Sequence, residues 1–408
     1  MKLLFTVYIL CFINISISAQ GKSEPSNTFG INFKGFVKTD VFYDTRQSVT
    51  IREGHFLLYP QPELLDTNGT DINSSPNLNM LSIQTRLTGL ITAPDFLGAK
   101  TSGMLEGAFF GHSDGDINGF RLRHAFVKLD WEKTSLLVGQ FWHPIFTAEV
   151  FPEVVSFNTG VPFEPFSRNP QIRITQKFNP IELSFTAASQ RDFPSTGPSG
   201  TSSVYLRNSG IPILNFNFKY KSGNNVAGVG VNFLSLQPRL VTEKKYKTNQ
   251  KINSLSFVGF GKFVFDPLTI KLHGIYGENL TDLTLLGGYA VKNKMATTGE
   301  EEYTNLKTLS LWSEIIYGKE LAVALFAGYT ENLGAPDDIV GAYYSRGNNI
   351  KSVLRVSPRI QYKVGNVQFA AEVEYTSAAY GTPDIKGKVI NTKNVQNIRT
   401  LISSYLFF

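Results

Sequence analysis

Val367-Gln368-Phe369-Ala370-Ala371-Glu372-Val373-Glu374-Tyr375-Thr376 is the stretch on which the reading of this 408-residue chain turns. Val367, Phe369, Ala371, Val373 and Tyr375 fall on one side of an extended backbone and Gln368, Glu372, Glu374 and Thr376 on the other, because successive strand side chains point to opposite faces. A half-buried soluble sheet would show the same alternation. Length separates the two cases: globular strands average about five to six residues, whereas a strand tilted across a bilayer takes about nine to eleven. The long alternation recurs in Ile181-Glu182-Leu183-Ser184-Phe185-Thr186-Ala187 and in Leu214-Asn215-Phe216-Asn217-Phe218-Lys219-Tyr220.

Working outward, the period-two pattern predicts strands near 29–44, 79–93, 101–111, 119–131, 134–143, 170–179, 181–190 and 211–221. It continues near 225–236, 252–265, 268–278, 307–318, 320–330, 350–364, 366–378 and 395–408. Connections after the even-numbered runs are short, as at Glu132-Lys133, Asp266-Pro267 and Gly365, while those after the odd-numbered runs are mostly long, as at 45–78, 144–169, 191–210 and 279–306. Short turns alternating with long loops around an even number of strands are the pattern of a transmembrane barrel of the Gram-negative outer membrane. The expected fold class is therefore all-β: a transmembrane antiparallel β-barrel of about 16 strands.

Composition agrees. Charged residues are only 18% against roughly 25% in globular proteins, and aromatics reach 13%, with 32 Phe and 17 Tyr. One Cys excludes a disulfide scaffold or a Cys-based zinc site. No run of eighteen apolar residues follows the N-terminal segment, so no helix is expected to span a membrane. Residues 1–19 read as a signal peptide, with Lys2, an apolar run from Leu3 to Ile13 and small Ala19 before a cut at Gln20. Bulky Leu10 argues against lipidation of Cys11. Residues 20–408 then form the barrel. The C-terminal Ile402-Ser403-Ser404-Tyr405-Leu406-Phe407-Phe408 is a strand running to the last residue, like the closing strand of outer-membrane barrels.

If the apolar face meets lipid, the opposite face lines a lumen wide enough for water at sixteen strands. The inward cations include Lys34, Lys38, Arg86, Arg121, Arg123, Arg173, Lys219, Lys271, Arg355, Arg359, Lys363 and Arg399, and they outnumber the inward acids Asp40, Asp44, Glu106, Glu182, Glu314, Glu372 and Glu374. Arg121 and Arg123 share a face with Val127 and Leu129, so a bulge near Ala125 is expected to restore the apolar outside. Pairing of these arginines with Glu106 is the structural alternative, as is pairing of Arg355 and Arg359 with Glu372 and Glu374. The third long loop, 144–169, carries five Phe and four Pro, too apolar for a solvent loop. It is expected to fold into the barrel and bring Glu149, Glu153, Glu164 and Arg168 near the constriction; packing against a neighbouring subunit is its rival.

Gly35-Phe36-Val37-Lys38-Thr39-Asp40, Arg86-Leu87, Leu122-Arg123-His124-Ala125-Phe126, Gly139-Gln140-Phe141-Trp142 and Arg168-Asn169-Pro170-Gln171-Ile172-Arg173 together make the chain resemble the DcaP-like trimeric outer-membrane porins, most clearly over 30–180. The resemblance implies a sixteen-stranded homotrimeric channel with basic pore residues favouring small anions such as dicarboxylates. Matched by motif, Arg86, Arg123 and Arg173 would be pore residues. Some members carry an N-terminal coiled coil, whereas only Gln20 to Thr28 precede the first run here. The sequence is also similar to Bacteroidetes-type porins that take phosphate or organic anions.

Other chemistries read weakly. Gly111-His112-Ser113 loosely resembles an outer-membrane phospholipase, but neighbouring strand residues face opposite ways, so His112 is badly placed to activate Ser113. Asp114-Gly115-Asp116-Ile117-Asn118-Gly119 matches the start of a calcium loop, yet its twelfth position is Ala125 rather than Glu. Glu300-Glu301-Glu302 reads as a solvated external run or a divalent-ion contact to lipopolysaccharide. Neither an enzyme, a cofactor nor a nucleic-acid partner is expected. The expected function is an outer-membrane diffusion channel for small hydrophilic solutes, preferring anions, with Arg86, Glu106, Arg121, Arg123, Arg168, Arg173, Arg355 and Arg359 lining the pore and lipid and lipopolysaccharide around it. A receptor-coupled transporter would call for an N-terminal plug domain. The alternative is a non-conducting adhesin or surface-interaction barrel acting through loops such as 45–78.

Overall fold

The structure, a computed structural model, describes residues 28–111 and 114–408. The leader expected over 1–19 and the His112-Ser113 pair lie outside the described residues. Sixteen antiparallel strands close into one barrel. In chain order the barrel strands are β1 (Gly30–Asp44), β2 (Arg86–Phe96), β3 (Ala99–Phe109), β4 (Phe120–Asp130), β5 (Thr134–Trp142), β6 (Arg168–Lys177), β7 (Ile181–Ala188) and β8 (Ile213–Ser222). They continue as β9 (Asn225–Leu236), β10 (Ile252–Phe265), β11 (Leu268–Glu278), β12 (Glu301–Gly318), β13 (Leu321–Gly334), β14 (Ile350–Val364), β15 (Val367–Pro383) and β16 (Val389–Phe407). Each pairs with the next, and β16 pairs back onto β1 from Phe36↔Phe407 to Asp44↔Arg399, so no edge is left open. Phe408 belongs to the seam: its N–H donates to the Gly35 carbonyl at 3.1 Å, and the Gly35 N–H donates back at 2.9 Å. The approach explains the glycine, since a Cβ at position 35 would sit 2.1 Å from the Arg86 carbonyl oxygen.

Burial is inverted relative to a water-soluble protein. Outward Leu105, Phe185, Phe257, Ile315, Phe369 and Ile402 are exposed, while inward Asn217, Ser256, Glu314, Arg359, Thr376 and Arg399 are buried. An apolar outside around a polar inside is what a hydrocarbon solvent selects. Turns of two or three residues, such as 266–267 and 319–320, join strands at one end, and the long connections stand at the other. Strands β12, β15 and β16 run 18, 17 and 19 residues, beyond what a crossing takes. Their surplus forms a collar on the long-loop side, widened by strands Gly287–Lys294 and Tyr343–Arg346.

Two sequence readings are corrected. The run expected at 79–93 is split: Asn77–Leu81 pairs with the upper part of β1, the chain leaves over 82–85, and β2 begins at Arg86. A turn closed by the Thr85 N–H to the Ser82 carbonyl makes the break. Lys34 and Lys363 keep the inward parity of Lys38 and Arg359 and are exposed near the short-turn ends of β1 and β14. Loop 45–78 does not simply stand outside. Its hairpin Ser48–Ile51/Phe56–Pro60 has all of Phe56–Pro60 buried, because the uninterrupted Phe56-Leu57-Leu58-Tyr59 is driven out of water.

The bulge expected near Ala125 occurs two residues earlier. Glu106 pairs with His124 and Gly107 with Leu122, leaving Arg123 as the extra residue of β4. Arg123 and His124 are therefore both buried toward the lumen, while Leu122 and Val127 are both exposed outside. Below the bulge Lys128 and Asp130 join the inward side, where Asp130 lies 2.8 Å from Lys128 and 3.6 Å from Lys177.

Candidate functional site

Strands β2 to β6 form a basic wall. Glu106 on β3 accepts from Arg123 Nε at 2.7 Å and from Thr88 Oγ1 at 2.8 Å, with Arg86 Nε at 3.7 Å and His124 Nε2 at 3.8 Å. Arg123 lies 5.7 Å from the ring centroids of both Phe110 and Trp142, a cation–π seat that tolerates a buried guanidinium. Above it, Arg168 reaches Asp192 at 2.6 Å and lies 5.1 Å over Trp142. Arg121 also pairs with Asp192. Burial alone would raise the Asp192 carboxyl, but Arg168 and Arg121 outweigh it and hold it below its ordinary value.

Arg52, at the tip of the inward hairpin, completes the cluster. Its Nε donates to the Gly111 carbonyl at 3.1 Å and its guanidinium lies 4.6 Å over Phe110. Burial first, then repulsion from Arg121, lowers it to about 9. Arg86 and Arg123 thus share Glu106, Arg121 and Arg168 share Asp192, and Arg52 adds a fifth guanidinium beside them. One Nη of Arg123 and one of Arg168 are buried without a hydrogen-bond partner among the described residues. Buried donors in that state favour an anion.

Two cavities run along this wall. One of about 350 Å³ is lined by Arg86, Glu106, Arg123 and His124 together with the rings of Phe36, Trp142, Phe157 and Phe166. The other, about 160 Å³, lies beside Arg173, Lys219, Glu149 and Glu182. Phe141, Phe146 and Ala148 line both, which makes them the neck between the two. Arg173 is tied by its Nη2 to the Trp142 carbonyl at 2.9 Å and lies 5.6 Å from the Phe141 ring. Burial would raise Glu149, but Lys219 and Lys221 bring it down to about 2.

The opposite wall is neutralised and occupied. Arg359 meets Glu314 at 2.7 Å, Lys271 meets Glu314 at 3.3 Å and Glu153 at 2.6 Å, and Arg355 lies 3.8 Å from Glu374. Segment 143–167 is hydrogen-bonded to inward side chains around the barrel. The Val155 N–H donates to Glu372 at 2.6 Å, Asn158 Nδ2 to Glu374 at 2.7 Å, Lys38 Nζ to the Val155 carbonyl at 2.7 Å, and Ser310 Oγ to the Phe163 carbonyl at 3.0 Å. Of the residues singled out from sequence, Arg86, Glu106, Arg121, Arg123 and Arg168 come together, Arg173 stands at the lower cavity, and Arg355 and Arg359 belong to this paired wall. Arg52, Asp192 and Phe146 were missed, because they lie in irregular segments where no periodicity assigns a facing.

Glu164 gives segment 143–167 a pH dependence. Trp312 Nε1 donates to it at 2.6 Å and His273 Nδ1 lies 3.8 Å away. Burial pushes its carboxyl well above the ordinary value, against the Trp312 bond, so the seated form holds a proton that the released form gives up. Seating is therefore strongest below the ordinary carboxylate value, and weakens as pH rises from there toward the raised one. Glu164→Gln keeps the shape without the charge. It is expected to raise the thermal unfolding midpoint at pH 8 while leaving it little changed at pH 4, measured by heat-dependent gel mobility; equal shifts at both would remove the proton from the account.

Glu301, read as part of a solvated run, is instead buried and paired with Arg239 at 3.0 Å, while Glu300 accepts from Thr248 Oγ1 at 2.8 Å. Asp114–Asp116 forms a single 3₁₀ turn whose Asp114 accepts from the Glu53 N–H at 3.0 Å.

No protein-family description matches the chain, and no curated protein matches it in sequence. Solved structures do. The outer membrane channel DcaP of Acinetobacter baumannii superposes with a TM-score of 0.69 at 16% identity, over 94% of this chain and 98% of that one. The chain has the fold of the DcaP porin. The anion-selective porin from Comamonas acidovorans follows the same porin barrel with a TM-score of 0.55 at 11% identity, over 93% of this chain and 100% of that one. The trimer form of OmpT, an outer membrane protein of Vibrio cholerae, gives 0.55 at 10% identity, over 93% and 100%. This is an outer-membrane porin barrel by fold, and its basic wall is carried by its own residues.

Proposed function

We propose that the chain is a passive outer-membrane diffusion channel that prefers small anions, and that it works as a homotrimer. The observation that carries this is the cluster of Arg52, Arg86, Arg121, Arg123 and Arg168 around Glu106 and Asp192 beside a cavity of about 350 Å³. A wall with surplus positive charge in a low-dielectric tube concentrates anions along it without any energy source. Because the attraction is electrostatic, salt weakens it over a Debye length of about 8 Å at physiological ionic strength. Solutes pass the basic wall, then the neck at Phe141 and Phe146, then Arg173 and Lys219; segment 143–167 narrows the passage from the opposite side. The anion selectivity of the Comamonas porin and the trimer form of the Vibrio protein support the reading, as does the DcaP channel's likeness in fold. Small dicarboxylates suit arginines that can grip each carboxylate twice.

The test is single-channel recording in a planar bilayer under a salt gradient. Current in steps of three with a reversal potential on the anion side is expected, reduced by added dicarboxylate or phosphate. Silence would favour a surface-interaction barrel; cation preference would overturn the role of the basic wall.

A further inference from the structure

A second segment folds into the lumen, and the pathway above makes no use of it beyond Arg52. Hairpin Ser48–Ile51/Phe56–Pro60 is held by inward side chains from four strands. Arg355 Nη2 donates to the Leu58 carbonyl at 2.9 Å, the Tyr380 hydroxyl to the Pro60 carbonyl at 2.7 Å and Arg399 Nη2 to the Gly54 carbonyl at 2.7 Å, while His55 Nε2 lies 2.6 Å from Asp40 Oδ2. These anchors sit on β14, β15, β16 and β1, the seam of the barrel. The tip then turns through Arg52, Glu53 and Gly54, all at positive φ, and sends Arg52 across to the Gly111 carbonyl just after β3.

The hairpin also backs the aromatic side of the larger cavity. The His55 ring stacks on Phe157 with centroids 4.6 Å apart, and Phe56 packs edge-on against Phe157 and Phe166 at 5.6 and 5.5 Å. Phe157 and Phe166 are cavity-lining residues. The two inward segments pack on each other through these rings, and aromatic pairs at such distances add to the energy of burial.

We propose that hairpin 48–60 is the second wall of the constriction and sets the largest solute that passes. The inference rests on the channel reading. The hairpin can be tested by removal because it is a self-contained excursion: its ends are clasped by the Gln61 N–H donating to the Gln47 carbonyl at 3.0 Å, and Ser48 pairs with Pro60. Replacing 48–60 with two glycines in the otherwise full chain removes no residue of any barrel strand.

The measurement compares parent and excised chains by single-channel conductance and by liposome swelling in sugars of increasing mass. A severalfold rise in conductance and entry of sugars that the parent excludes are expected. A conducting parent with an excised chain of the same conductance and the same cut-off overturns the hairpin's role and leaves the channel reading standing. No current from either chain overturns both. Should the excised chain fail to fold, thiol labelling of the complete chain decides. In a Cys11→Ser background, Leu58→Cys at the buried position and Leu65→Cys at an exposed one are treated with a membrane-impermeant maleimide. Labelling of Leu58→Cys at least about tenfold slower than Leu65→Cys is expected for a seated hairpin; equal rates overturn the proposal.

Discussion

Arg86→Glu combined with Arg173→Glu is expected to move the reversal potential from the anion side to the cation side, with at least about a tenfold change in the anion-to-cation permeability ratio, equivalent to about 1.4 kcal/mol. Each substitution changes the local charge by two units, one in the upper cavity and one beside the lower. Unit charges about 4 Å apart interact by roughly 4 kcal/mol at an effective dielectric of 20, so the expected shift is a modest fraction of what the change makes available. The pair is also the least disruptive choice on this wall. Arg86 meets Glu106 at only 3.7 Å and its side chain is 23% exposed, whereas Arg123 and Arg168 are buried, each held by a close carboxylate contact and a ring seat. Reversal potentials across a tenfold salt gradient read the result directly. An unchanged selectivity would mean that ions take another route.

Arg355→Met is expected to be the most destabilising single change in the lumen, at about 3–5 kcal/mol, the usual penalty for removing one member of a buried charged network. Arg355 is the one side chain among the described residues seen to bond both inward segments: Nη1 donates to the Val161 carbonyl at 2.7 Å and Nη2 to the Leu58 carbonyl at 2.9 Å, with Nε on Thr376 Oγ1 at 2.9 Å. Methionine fills much of the space but supplies no donor, so two carbonyls and Thr376 Oγ1 lose their donor together and Glu374 loses a nearby positive charge. The seating of Phe163 beside Gly328, where a Cβ would lie 2.4 Å from the ring, is too close-fitting to absorb the change by sliding. A lowered unfolding midpoint with noisier, larger single-channel currents is the expected outcome. A stable barrel with quiet parental conductance would show that the inward segments hold without this tie.

The contrast between the two arginines shows where sequence reading stops. Both alternate inward on their strands, and period-two counting places them on the same surface. Arg86 lines a cavity, whereas Arg355 is saturated by the backbones of segments more than a hundred residues away. Nothing local to either distinguishes them. The bulge in β4 was legible because Val127 and Leu129 conflicted in facing with Arg121, but its location at Arg123 depended on pairing with β3. Loop 144–169 announced its apolar character through its Phe and Pro content; the partners it bonds did not.

The sequence by itself determined the barrel: the number of strands, their order, the alternation of short turns and long loops, and the closing role of the terminal aromatic strand. Those follow from a side-chain period of two and a bilayer of fixed thickness, both local constraints that every strand must satisfy alone. Only the tertiary structure decided which inward charges are spent on one another and which face the cavity, that hairpin 48–60 fills part of the lumen, and that Arg52 and Asp192 join the basic wall. These depend on where irregular segments come to rest inside a closed tube, and that is set by contacts between residues far apart in the chain, which no periodicity encodes.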